Sequence, residues 1–302
     1  MHAPPPPIGK SETLIPGLRR VIAPNASPMT YWGTNTYLLG NGSGLCIIDP
    51  GPESSAHLGA LLDAIGTAQV SHIVVTHSHL DHSPLAARLS ALTGAPVIGY
   101  GPYDAGRSPI MQQLIDAGLD SGGEGLDRTF TPDLTVKDGE IIRGSDWNMR
   151  VLHTPGHLGN HICLRWNDAI FTGDHVMGWS SSLVSPPDGD LTDFMKSCQK
   201  LTKHKVDQFL PGHGPPVTNP AARLEWLIGH RLAREAQILA ALSSQAKGLT
   251  LTALTRMVYD DTPTHLHMAA ARNVLAHLVD LSGRNMAGFS QPIREETLFR
   301  VI

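Results

Sequence analysis

Nothing in this 302-residue sequence approaches about eighteen consecutive apolar residues, so no membrane-crossing helix is expected. The start, "MHAPPPPIGK", lacks the apolar stretch of a secretory leader, and residues 1–18 read as an extended lead-in. Cysteine is scarce: Cys46, Cys163 and Cys198 are odd in number, far apart and without any CxxC spacing. They read as buried, reduced, structural thiols, which fits a cytoplasmic protein. Neither sign of charge dominates. A formal net charge of -4 argues against a chain that is basic all over, although not against a local basic groove. With 41% hydrophobic and 17% charged residues, a sizeable core is easily built and wholesale disorder is not expected.

From residue 19 to 220 short apolar runs alternate with turn signals and a few helical patterns, giving an α+β unit. "TNTYLLG" and "GLCIIDPG" read as a strand pair around a turn at 40–44. "SSAHLGALLDAIG" reads as a helix with Leu58, Leu61, Leu62 and Ile65 on one face and a Gly66 stop. "VSHIVVT" is a buried strand, and Ser83-Pro84 an N-cap and first-turn proline for the next helix. Residues 103–132 read as an excursion loop with a short helix at 109–117. Four strands, a helix near 191–203 and "VDQFLPGHG" complete the unit. Residues 221–302 then change character to three helical patterns and two short β-like runs, the order of a winged-helix unit.

The chemistry concentrates at strand ends. "THSHLDH" places His77, His79, Asp81 and His82 within six positions, between a strand and a helix that hold the loop at both ends. In an extended segment His77 and His79 point the same way, while Asp81 and His82 can address a neighbouring position, so two metals side by side are expected. His157 in "TPGH", Asp174 in "FTGD" and His213 in "PGHG" each follow an apolar run beside a glycine. A lone histidine there is usually a turn residue. Four metal-capable groups in six positions are poorly explained by packing, because each would need a partner if buried without a metal.

These motifs resemble the metallo-β-lactamase superfamily over residues 19–220. The resemblance implies an αββα sandwich of two mixed sheets, with one metal on His77, His79 and His157. The second sits on Asp81, His82 and His213, and Asp174 bridges. It implies two divalent ions, zinc with iron or manganese as alternatives, and a binuclear-metal-bound hydroxide as nucleophile that Asp81 orients as the catalytic residue. The zinc β-lactamases of the commonest type use a cysteine in the second site, and no cysteine stands in a ligand motif here. Flavodiiron proteins carry glutamate where this chain has His79, which disfavours di-iron oxygen chemistry. The remaining chain resembles the β-lactamase-like protein 2 subfamily, which adds a C-terminal winged-helix-like domain.

A hydrolase of a small ester, thioester or lactone is the expected function. The alternative within the same chemistry is an endoribonuclease on single-stranded RNA. The alternative of another class is a non-catalytic, metal-containing nucleic-acid-binding protein. His161 and His175 are the nominees for substrate contact or proton transfer. Residues 223–302 hold nine Lys/Arg against seven Asp/Glu, and the basic residues between Arg223 and Arg234 read as a solvated face. The helix "THLHMAAARNVLAHLVDLSG" has Arg272 as its only Lys/Arg, so duplex DNA is not an expected partner. That helix should instead be packed, or wall the active-site mouth.

Overall fold

The computed structural model describes residues 5–41, 44–120 and 125–302. The expected lead-in, the turn at 40–44 and the excursion at 103–132 extend into residues 1–4, 42–43 and 121–124, which lie outside the described residues. Seven strands form the first sheet in chain order: β1 (Glu12–Ile15), β2 (Leu18–Ile22), β3 (Asn35–Leu39), β4 (Leu45–Ile48), β5 (Val70–Val74), β6 (Val97–Gly99) and β7 (Leu134–Thr135). The first four pair antiparallel and the rest parallel. The lead-in is thus shorter than expected, because Glu12–Ile15 pairs with β2 as an edge strand. The second sheet comprises β8 (Ile141–Arg143), β9 (Asn148–His153), β10 (Ile162–Trp166), β11 (Ala169–Gly173) and β12 (Gln208–Pro211), of which only β12 pairs parallel.

Strand alternation builds the layers. Tyr37, Leu39, Cys46 and Ile48 of the first sheet face Met149, Val151, Ile162, Leu164 and Phe171 of the second, forming the core between the sheets. Their neighbours Leu38, Leu45 and Ile47 turn outward onto α1 (Ser55–Ile65) and α2 (Leu85–Thr93). Cys163 and Ile170 of the second sheet turn outward with Leu152 and Phe209 to meet α4 (Leu191–Leu201) and α5 (Pro220–Ser243). This is the expected αββα sandwich. The cysteines are all buried and free, as packing residues.

Two local expectations are corrected. Leu62 of α1 is 39% exposed, since the buried stripe runs through His57, Leu58, Leu61 and Ile65. Ser83 does not cap α2: its hydroxyl donates to Asp127 Oδ2 at 2.8 Å and so ties the His77–His82 loop to the excursion instead.

The C-terminal unit combines the second half of α5, α6 (Leu251–Val258), α7 (His267–Gly283) and a three-stranded sheet. That sheet contains β13 (Leu249–Thr250), β14 (Ala287–Gly288) and β15 (Leu298–Val301) in the order β13-β15-β14. α5 serves both units. Leu224 and Leu227 pack on the second sheet's outer face, while Ile238 and Leu242 enter the C-terminal core. Leu232, at helical spacing with Leu224 and Leu227, is nonetheless 53% exposed. The helix of the excursion, α3 (Pro109–Asp116), inserts Met111 and Leu114 into that same C-terminal core. Among the described residues no helix is long and apolar enough to cross a membrane.

Candidate metal centre

The loops that follow β4, β5, β9, β11 and β12 lie at one end of the sandwich and bring together every residue expected to hold a metal. His77 Nε2 lies 3.1 Å from His79 Nδ1, which is 3.0 Å from His157 Nε2. In a second cluster His213 Nε2 lies 3.0 Å from Asp81 Oδ2 and 3.3 Å from His82 Nε2. Asp174 stands between the clusters, with Oδ2 3.3 Å from His213 Nε2 and 3.8 Å from His157 Nε2, and Oδ1 3.5 Å from His82 Nε2. Ligand atoms about 2.0–2.2 Å from one tetrahedral ion stand roughly 3.3–3.6 Å from one another, so the spacing suits a cation after small adjustments. His77, His79 and His157, and separately Asp81, His82 and His213, could each hold a metal ion, as could His77, His82 and Asp174.

Outer hydrogen bonds decide which imidazole nitrogen faces inward. His157 Nδ1 donates to the Leu183 carbonyl at 2.7 Å, and His213 Nδ1 to the Gly33 carbonyl at 3.2 Å. His82 Nδ1 donates to Asp49 Oδ2 at 3.0 Å. Thr76 Oγ1 gives its own hydrogen to Asp49 at 2.8 Å, so it accepts from His77 Nδ1 at 3.0 Å. The inward nitrogens of His77 and His157 therefore carry lone pairs, and both converge on His79 Nδ1. One hydrogen there could satisfy only one of them. A cation satisfies all three.

Asp49 is the centre of this outer shell. Besides His82 and Thr76 Oγ1 it accepts the Thr76 backbone N–H at 2.7 Å. Sequence reasoning missed it, although it stands at the end of an apolar strand with Gly51 two residues on, close to the signal that found Asp174. The backbone at Gly212 approaches the site closely: a Cβ there would lie 2.4 Å from Asp174 Oδ1 and 2.7 Å from His82 Cε1.

Electrostatics divides the two clusters. Burial holds His77 well below its ordinary value, takes His79 to about 3 and lowers His157, so these rings are neutral. Burial would also lower His82 and His213, but the carboxylates of Asp81 and Asp174 outweigh it, joined at His82 by Asp49. His82 rises well above its ordinary range and His213 to about 9, while Asp174 is lowered against burial by His213 and His82. In the second cluster the carboxylates therefore favour positive charge beside these two imidazoles, whether carried by protons or by a metal ion.

His161 and His175 are fully buried and do not line the cavity over the clusters. His161 Nδ1 meets Thr154 Oγ1 at 3.0 Å, and His175 Nε2 lies 3.5 Å from Cys198 Sγ. That cavity, of about 700 Å³, has His79, Asp81, His157, Asp174 and His213 as its floor. Met29, Met177, Trp179 and Leu183 wall it on the sandwich side, and His265, Met268 and Arg272 on the side of α7.

A helix-flanked two-sheet sandwich, with His/Asp groups suited to metal ions at one end and a winged-helix unit over the mouth, defines the class. The chain belongs to the metallo-beta-lactamase superfamily: that family's model matches residues 29–213, and a beta-lactamase associated winged helix domain matches residues 250–286. Among curated relatives, a beta-lactamase-like protein 2 homolog of Drosophila melanogaster is 33% identical over 92% of this chain and 91% of that protein. An atrochrysone carboxyl ACP thioesterase of a Cryptosporiopsis species is 30% identical over 78% of this chain and 66% of that protein. A solved beta-lactamase domain protein from Burkholderia ambifaria shares the fold with a TM-score of 0.80 at 20% identity, covering 99% of this chain and 95% of that one.

Proposed function

We propose that the protein is a metal-dependent hydrolase of a small ester, thioester or lactone, with two divalent ions, zinc above all, as its cofactors. The observation that carries this reading is the apolar-walled cavity set directly on the two ligand clusters. The thioesterase named among its relatives favours a thioester. Two cations in such a site supply a water ionised near neutral pH and an electrophile for the carbonyl oxygen. His77, His79 and His157 would hold one ion and Asp81, His82 and His213 the other, with Asp174 shared. Asp81 lines the cavity floor, where its carboxylate can also orient the proton of an attacking water. Met29, Met177, Trp179, Leu183 and Met268 are suited to cover an acyl group and exclude bulk water. His161 and His175 fit a supporting role beneath the floor. The unpaired buried thiols suit a cytoplasmic location.

Arg272 is the only Lys/Arg among the described residues lining the cavity, too little positive charge to track a nucleic-acid backbone. α7 is also engaged: Asn273 accepts the Val184 N–H at 3.1 Å and Asp280 the Thr192 hydroxyl at 2.5 Å. Purified, metal-loaded protein is therefore expected to hydrolyse acyl thioesters or esters in a substrate panel and to leave single-stranded RNA intact. Faster turnover of RNA than of every acyl substrate would overturn the reading. Duplex DNA is expected to bind weakly with a shallow salt slope. Sub-micromolar affinity at physiological salt, falling as several phosphate contacts require, would contradict it.

Metal uptake should be asymmetric in pH. The first cluster is neutral and needs no deprotonation at pH 7, whereas His213, raised to about 9, must lose a proton to become a ligand, as must His82. Affinity of the second step should rise with pH between 6 and about 9, with proton release, while the first stays nearly level. Calorimetric titration in buffers of different ionisation enthalpy measures the protons directly, and equal release in both steps would refute the division.

A further inference from the structure

Resting on that metal reading, we infer that Arg231 and Asn273 of the C-terminal unit are positioning residues for the metal ligand His157, acting through the backbone of residues 181–184. Arg231 is 2% exposed and lies in the middle of α5. One guanidinium nitrogen donates to the carbonyls of Ser181 at 2.8 Å and Ser182 at 2.6 Å, and the other to Asn273 Oδ1 at 3.0 Å. The same Asn273 oxygen accepts the Val184 N–H at 3.1 Å. Leu183 is thus held on both sides, and its carbonyl accepts the Nδ1 hydrogen of His157 at 2.7 Å.

The backbone here does not hold its shape unaided. Ser182 sits at φ 62, in the left-handed region that a serine seldom adopts, with its hydroxyl donating to the His175 carbonyl. Among the described residues no carboxylate pairs with Arg231, and its charge is met by carbonyls, an amide oxygen and the Phe194 ring 5.2 Å away. Burial pulls the guanidinium to about 10, which leaves it charged at neutral pH. A buried cation without a counter-ion is a costly way to fill space. Its fixed fork of donors suits the holding of two adjacent carbonyls, which an apolar side chain of similar volume cannot do. The outer partner of a metal-ligating histidine sets its tautomer and ring orientation. In this chain that partner is held by a different structural unit.

The test is a two-step zinc titration of the full chain by calorimetry, with cobalt spectra as a second readout. Arg231→Met and Asn273→Ala are each expected to weaken one step by on the order of 10- to 100-fold, the step that His79→Ala abolishes, and to leave the other unchanged. Arg231→Lys should recover part of the loss. Arg234→Met is the control: it removes a guanidinium from the same helix that donates to the Val258 carbonyl, outside the 181–184 segment. It should lower thermal stability without altering either step. If Arg231→Met does not fold, Asn273→Ala decides. Wild-type affinity in both steps for both variants would overturn the inference, as would a loss in both steps matched by Arg234→Met. A wild-type chain that takes up no metal would overturn the metal reading, and this inference with it.

Discussion

Replacing His79 with alanine is expected to lower turnover by more than about a hundredfold and to abolish one of two metal-binding steps. The loss of a mere outer partner typically costs about 10–100-fold, and His79 is nominated as a direct ligand. Its Nδ1 is the point on which the lone pairs of His77 and His157 converge, so without it two nitrogens 3.0 to 3.1 Å from that point face a void. Chelation of the wild-type protein should produce the same inactive state, and zinc or manganese should restore activity to the wild type only. Asp81→Ala should differ in kind, cutting turnover sharply while the first metal is retained, because Asp81 belongs to the second cluster. Elemental analysis beside activity separates these outcomes. A His79→Ala protein with two metals and full activity would remove the basis of the proposed function.

A chain ending at Pro220 is expected to be poorly soluble and inactive. Leu224 and Leu227 are 2% and 0% exposed against the outer face of the second sheet, and each contributes about 1.5–3 kcal/mol by burial. Together they account for about 3–6 kcal/mol, comparable with the whole stability of a domain, about 5–15 kcal/mol. Truncation would also uncover Met111 and Leu114, each 1% exposed within the C-terminal core. Sedimentation and thermal melting of the truncated chain check this. A monomeric, cooperatively melting, active product would show that the two units are independent.

The ligand motifs were legible because their chemistry is concentrated: HxHxDH has no ordinary packing explanation, and the downstream histidines and Asp174 stood at the ends of readable strands. Asp49 obeyed the same rule, but a single aspartate before Pro-Gly reads as a turn, and only its three hydrogen bonds reveal it. Helix periodicity located the helices and overstated their apolar faces, since Leu62 and Leu232 fall on edges whose exposure depends on which neighbour packs there. Arg231 shows the opposite failure. Within a run of arginines it read as solvated, yet one helical turn after Leu227 it is as buried as Leu224. Its partners are backbone carbonyls, which leave no trace in sequence. The docking of α7 followed from its poverty of charge, whereas the loop it docks on could be seen only in three dimensions.

The insertion of α3 into the C-terminal core bears on how the chain is made. Residues 109–116 leave the ribosome long before residues 251–281, which enclose Met111 and Leu114. Throughout that interval an apolar helix face, together with the outer face of the second sheet, waits for a partner not yet synthesised. Nascent chains of about 220 residues are therefore expected to engage chaperones and to be cut readily by protease within 103–132, and protection should arrive only when α7 has emerged. Pulse-chase proteolysis of arrested chains of increasing length would show whether protection comes in that single late step.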